Sequence, residues 1–201
     1  MRSLLIVSLA IFFLSGCASV PPIPVDQRSV APGSKVTRSG TTELALLGSA
    51  VTVGDQLPDV RLVDSNLNFV NLSSLIGDQV LLLSIVPSLD TQVCERQTTQ
   101  LGETELVEGI RKVTISRDLP FAQNRFANET GFDDILFLSD FQKADFGRAS
   151  GLLVDELYLL ARAVVVVDRE GTIRYIQVVP EISHLPDLPR AIAEAEALLD
   201  K

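Results

Sequence analysis

The stretch V-L-L-L-S-I-V-P-S-L-D-T-Q-V-C, residues 80–94, sets the fold. Residues 80–86 form a continuous run of strand length, apolar except for Ser84 and without alternation, as a central strand covered on both faces requires. Pro87 has no N–H to give a ladder and ends the strand. Helical spacing takes over from about Thr91 to Gly109. A cysteine, Cys94, therefore opens a helix directly behind a buried strand.

Working outward, Glu43–Leu47 and Val51–Val53 read as a small N-terminal hairpin, and Leu72–Ile76 as a short helical turn. Lys112–Ser116 is a second buried strand. It is followed by a helix that Pro120 can open, and by a third strand at Ile135–Ser139. A helix over Phe141–Ser150 is closed by Gly151. Ala163–Asp168 and Thr172–Val178 flank R-E-G as a hairpin, and Leu188–Leu199 is strongly helix-favouring. Strands alternate with helices and finish on a hairpin and a helix. That order predicts a three-layer α/β domain with a central mixed sheet between helices.

The chain begins M-R-S and runs through an apolar stretch, Leu4–Leu14, too short to span a bilayer as a helix. A lone Arg2, a short apolar core and small residues at its end read as an export signal over residues 1–17. L-S-G-C, ending at Cys17, resembles the lipobox of bacterial lipoproteins, which implies acylation of Cys17. The expected location is then exported and lipid-anchored, facing the periplasm or the cell exterior. Ala18, in place of Asp, resembles lipoproteins sent on to the outer membrane of a Gram-negative cell. Residues 18–43 are rich in Pro, Ser, Thr and Gly without periodicity and read as a flexible linker, with a reach of roughly 25–30 Å. Residues 44–201 make one domain with room for a sizeable core.

The formal charge of −9, without basic runs, argues against nucleic acid and against electrostatic docking on anionic lipid. Of the two cysteines, acylation removes Cys17 from disulfide chemistry and leaves Cys94 alone. Most lone cysteines are small buried hydrophobes. Context points elsewhere here. The thiolate is the nucleophilic form of cysteine, and the first turn of a helix supplies partial positive charge from unpaired N–H groups. Thr91, three residues earlier, can offer its hydroxyl to the sulfur and to an incoming oxygen, and Pro87 stiffens the loop.

P-x-x-x-T-x-x-C, filled by Pro87, Thr91 and Cys94, is similar to the active-site motif of peroxiredoxins. V-T-V-G-D-Q-L-P-D, S-R-D-L-P-F-A-Q-N-R-F and A-R-A-V-V-V-V-D, in their order and spacing, resemble the thiol peroxidase subfamily from about Leu44 to Lys201. The resemblance implies a thioredoxin fold of peroxiredoxin type and a homodimer. It also implies an arginine completing the site, matched by Arg162; Arg125 could equally pair at a helix surface. A guanidinium is always charged and can hold thiolate and peroxide together. The implied reaction is attack of Cys94 on hydrogen peroxide or on organic and lipid hydroperoxides, giving a sulfenic acid, with Thr91 and Arg162 aligning the oxygens.

Many thiol peroxidases carry a resolving cysteine right after the R-F of that second segment; here the position is Ala127. The departure implies a one-cysteine cycle with no bound cofactor, restored by an external thiol: an exported thioredoxin-like protein or a small thiol. Two other readings use the same residues. One is a peroxide-sensing relay to a partner protein; the other is a retired scaffold serving as a binding lipoprotein. His184 reads as a solvated loop residue, Asp133, Asp134 and Asp140 as turn or capping acids rather than metal ligands, and Leu157, Leu159 and Leu160 as packing residues.

Overall fold

The structure is a computed structural model and describes residues 22–199. The export segment and Cys17 lie outside the described residues. The central sheet has seven strands. In its interior lies β6 (Val80–Ile85), parallel to the middle strand β7 (Ile110–Ser116), which is parallel in turn to β8 (Ile135–Ser139). On one side β11 (Ala163–Val167) runs antiparallel to β6, and β12 (Ile173–Val178) closes that edge. On the other, β4 (Arg61–Asp64) and β5 (Phe69–Asn71) extend the sheet beyond β8.

Period-two alternation divides β6 between two cores. Leu81, Leu83 and Ile85 enter one cluster, and Val80 and Leu82 enter the other, so the unbroken apolar run is explained by burial on both faces. Cys94 lies in the second cluster, which receives α1 (Gln92–Glu103), α2 (Pro120–Thr130) and α4 (Leu188–Glu196). The first is covered by a 3-10 turn at Leu72–Leu75, by α3 (Asp145–Ser150) and by a small four-stranded sheet. Leu157 and Leu160 pack into this first cluster. Both α2 and α3 stop on left-handed glycines, Gly131 (φ 72°) and Gly151 (φ 70°). Helix α1 is shorter than its periodicity suggests: the chain turns extended at Thr104 (φ −81°, ψ 120°), and Gly109 (φ 99°) later leads it into β7. Helix α3 likewise starts only at Asp145.

Two local readings need correction. The linker expected over residues 18–43 is ordered across its described part. Val25–Asp26 is strand β1, parallel to β13 (Leu185–Pro186), and Lys35–Arg38 is strand β2. Only one side chain of β2, Val36, is buried, so no period registers in the sequence. The expected hairpin also uses a different partner. β3 (Thr42–Leu47) pairs with β2 across a turn where Ser39 and Gly40 take φ of 56° and 69°, and with β9 (Leu153–Val154) on its other side. Val51–Val53 forms no strand; the N–H and hydroxyl of Thr52 go to the Asp55 carboxylate.

Candidate active site

The site forms where β6 hands the chain to α1. Val86 makes the last strand bond, to the carbonyl of Ile115 at 3.0 Å, and Pro87 follows half-buried. The loop beyond is fastened by Asp118 at the end of β7. Its carboxylate accepts from the Ser88 hydroxyl at 2.6 Å, the Leu89 N–H at 2.7 Å and the Ser116 hydroxyl at 2.8 Å. The first bond within α1 runs from Glu95 N to Thr91 O, so the N–H groups of Gln92, Val93 and Cys94 lie ahead of it. Cys94 therefore sits in the first turn of the helix, with its side chain fully enclosed (0% exposed).

Thr91 is the N-cap residue in extended conformation, but its side chain does not cap the helix. Its hydroxyl lies 2.9 Å from the Cys94 sulfur and 3.0 Å from the carbonyl of Ser88. One hydroxyl proton serves one acceptor at a time. With a thiol, S–H can donate to Thr91 Oγ1 while that hydroxyl donates to Ser88. With a thiolate, the hydroxyl proton turns to the sulfur.

Arg162, just ahead of β11, is 2% exposed. Its Nη2 lies 3.4 Å from the sulfur, its Nη1 donates to Gln97 Oε1 at 2.8 Å, and Nε and Nη2 both donate to the carbonyl of Ile182, at 3.2 and 3.1 Å. Gln97, one turn past Cys94 on α1, is fixed by its own donation to Ser84 Oγ at 2.9 Å. Among the described residues, no carboxylate lies within salt-bridge distance of Arg162. Removing an ion from water costs several kcal/mol unless an opposite charge or hydrogen bonds compensate. Here the group at the guanidinium able to supply negative charge is the cysteine sulfur.

The structure brings Thr91, Cys94 and Arg162 together, and Pro87 begins the loop that leads to them. Arg125 stays outside: it pairs with Asp90 at 2.6 Å on the surface of the loop. Ala127 packs against the same apolar cluster that holds Cys94. His184 is not a solvated loop residue, since its Nδ1 lies 3.3 Å from the buried carboxylate of Asp26. Asp140 accepts the N–H groups of Phe146 and Gly147, and Asp134 pairs with Lys112. Gln97, Asp118 and the Ile182 carbonyl escape the sequence reading. Of these only Gln97 leaves a trace, as a polar residue three positions after Cys94 on the same side of the helix.

The Redoxin family model matches residues 52–197. The chain belongs to the redoxin family. A thiol peroxidase of Staphylococcus saprophyticus is 42% identical over 149 residues, covering 74% of this chain and 90% of that protein. The thiol peroxidase of Bacillus subtilis is 39% identical over 157 residues, 78% of this chain and 93% of its own length. Among solved structures, a peroxiredoxin-like protein from Aquifex aeolicus superimposes with a TM-score of 0.76 at 32% identity, covering 85% of this chain and 99% of that one. A thiol peroxidase from Chromobacterium violaceum, at 21% identity and a TM-score of 0.68 over 83% of this chain and 95% of that one, shares the fold. This redoxin has the thioredoxin fold of peroxiredoxins and is a thiol-dependent peroxidase.

Proposed function

We propose that this redoxin reduces hydrogen peroxide and organic or lipid hydroperoxides through a one-cysteine cycle centred on Cys94. The thiolate attacks the terminal peroxide oxygen, so an S–O bond forms as the O–O bond breaks. The leaving alkoxide or hydroxide takes up a proton, and Cys94 is left as sulfenic acid. Thr91 and Arg162 hold the two oxygens in line, and the guanidinium offsets the charge passing between them. Pro87 keeps the loop stiff and the sulfur dry. The observation that carries this reading is the enclosed Arg162, whose ionisable neighbour is the sulfur itself.

Ala127 cannot form the intramolecular disulfide, so the cycle closes on external thiols. One thiol condenses with the sulfenic acid and releases water; a second frees Cys94 and leaves a disulfide between the donors. An exported thioredoxin-like protein or a small thiol fills this role, and no bound cofactor takes part. The chain works as an exported homodimer anchored by lipid at Cys17, within reach of membrane hydroperoxides. Mass spectrometry of the full chain in detergent, after one equivalent of cumene hydroperoxide, tests the core of the proposal. Cys94 gains one oxygen and Cys94→Ser gains none. A Cys94 that remains a thiol in excess peroxide ends the reading.

A further inference from the structure

The Arg162 guanidinium is held on one flank by a side chain of α1 and on the other by a single carbonyl, that of Ile182. Ile182 lies in the loop between β12 and α4, so the carbonyl can be no better placed than that loop. Most of what fixes the loop comes from residues 24–40, ahead of the span the Redoxin model matches. Ile182 N donates to the carbonyl of Thr37 at 2.9 Å, and Thr37 N donates to the carbonyl of Pro180 at 2.7 Å. Thr37 and Glu181 thus meet in a parallel bridge. The Glu181 carboxylate, 6% exposed, accepts from Thr37 Oγ1 at 2.9 Å, Ser39 N at 3.2 Å, Gly40 N at 2.8 Å, and Ser183 through N and Oγ. Farther along the loop, Leu185 N donates to Pro24 O, and His184 meets Asp26.

We infer that residues 24–40 brace the active-site arginine, with Glu181 as the positioning residue that locks the brace to the loop carrying the Ile182 carbonyl. The inference rests on the role given above to Arg162. Glu181 has no cation within salt-bridge distance among the described residues; its charge is met by N–H and O–H donors. Burial pushes its carboxyl up, and the hydrogen bonds from Gly40, Ser183 and Thr37 outweigh that and hold it below the ordinary value. Loss of the buried carboxylate would remove the one side chain that ties Thr37, Ser39 and Gly40 to this loop and free the loop to shift. A misplacement of about 1 Å remote from the chemistry can cost ~10²-fold in rate.

The test is a double-mutant cycle on the full chain in detergent. It reads the single-turnover rate of Cys94 oxidation by cumene hydroperoxide, with iodoacetamide alkylation of Cys94 measured beside it. Glu181→Ala is expected to slow oxidation by about 10- to 100-fold, and to slow alkylation much less, since the alkylating agent has no peroxide to align. In an Arg162→Lys background the same change should cost less than about twofold, because coupled residues are non-additive. Equal losses in both backgrounds, or no loss in the first, overturn the brace. Should Arg162→Lys alone leave oxidation untouched, the role of Arg162 fails first, and the brace falls with it by a separate result. If Glu181→Ala does not fold, Thr37→Val and Asp26→Asn take its place and are judged by the same non-additivity.

Discussion

The loop that delivers Cys94, residues 86–91, and the loop that grips Arg162, residues 179–187, are each fastened by one carboxylate that collects several donors. Asp118 reaches its loop from β7, the strand beside β6, and all its partners lie within the span matched by the family model. Glu181 belongs to its own loop and reaches outward to residues 37–40, beyond that span. The nucleophile's half of the site is thus fixed by the central sheet. The electrostatic half depends on a segment ahead of the matched span. One carboxylate each, with different reach, gives the two loops very different dependence on the rest of the chain.

Cys94→Ser removes what both loops serve and should abolish peroxide consumption in an assay with any thiol donor. Arg162→Ala should follow, with a loss of roughly 10²–10³-fold in oxidation rate, the scale seen when one transition-state donor is removed. Asp118→Asn tests the inner loop. It should slow oxidation and iodoacetamide alkylation of Cys94 together, by about tenfold, because it displaces the sulfur itself rather than its arginine. Parallel effects on the two reagents at both Asp118 and Glu181 would erase the contrast between the loops.

Acid should act on the outer loop through Glu181 and Asp26, whose carboxyls both sit below their ordinary values. A depressed carboxylate contributes stability above its unfolded pKa, near 4, and that stability is lost as pH falls through the folded value. Thermal midpoints of the wild type should therefore begin to drop near about pH 5 and keep falling below about pH 3, and those of Glu181→Gln should drop less. The smallest effect is expected at the rim. Arg125 and Asp90 are 56% and 62% exposed, and such pairs are worth about 1 kcal/mol or less. Arg125→Ala should change oxidation by no more than about fivefold.

The inner half of the site was legible because its logic is local. Strand, proline, threonine and cysteine fall within fifteen residues, and helical spacing alone places Thr91 beside Cys94. Arg162 became visible through a motif. The outer half was hidden because β1 spans two residues and β2 four, and their contacts to Leu185 and Glu181 lie across more than 140 residues of sequence. No short-range pattern marks such pairing, and Pro- and Ser-rich composition points the other way. Asp118 and Gln97 escaped for another reason: a polar residue at a turn or on a helix looks solvated until the fold encloses it.

For the lipid anchor proposed at Cys17, the pairing of β1 with β13 would also bound the leash. With lipid on Cys17, Cys17 to Pro22 would be the stretch between bilayer and ordered chain, about 18 Å at full extension. That is shorter than the reach of a free 26-residue coil, and it ends on the strand that flanks the arginine loop. A domain moored this closely would keep one side turned to the lipid. It would sample peroxides by lateral encounter along a surface more than by collision from bulk water.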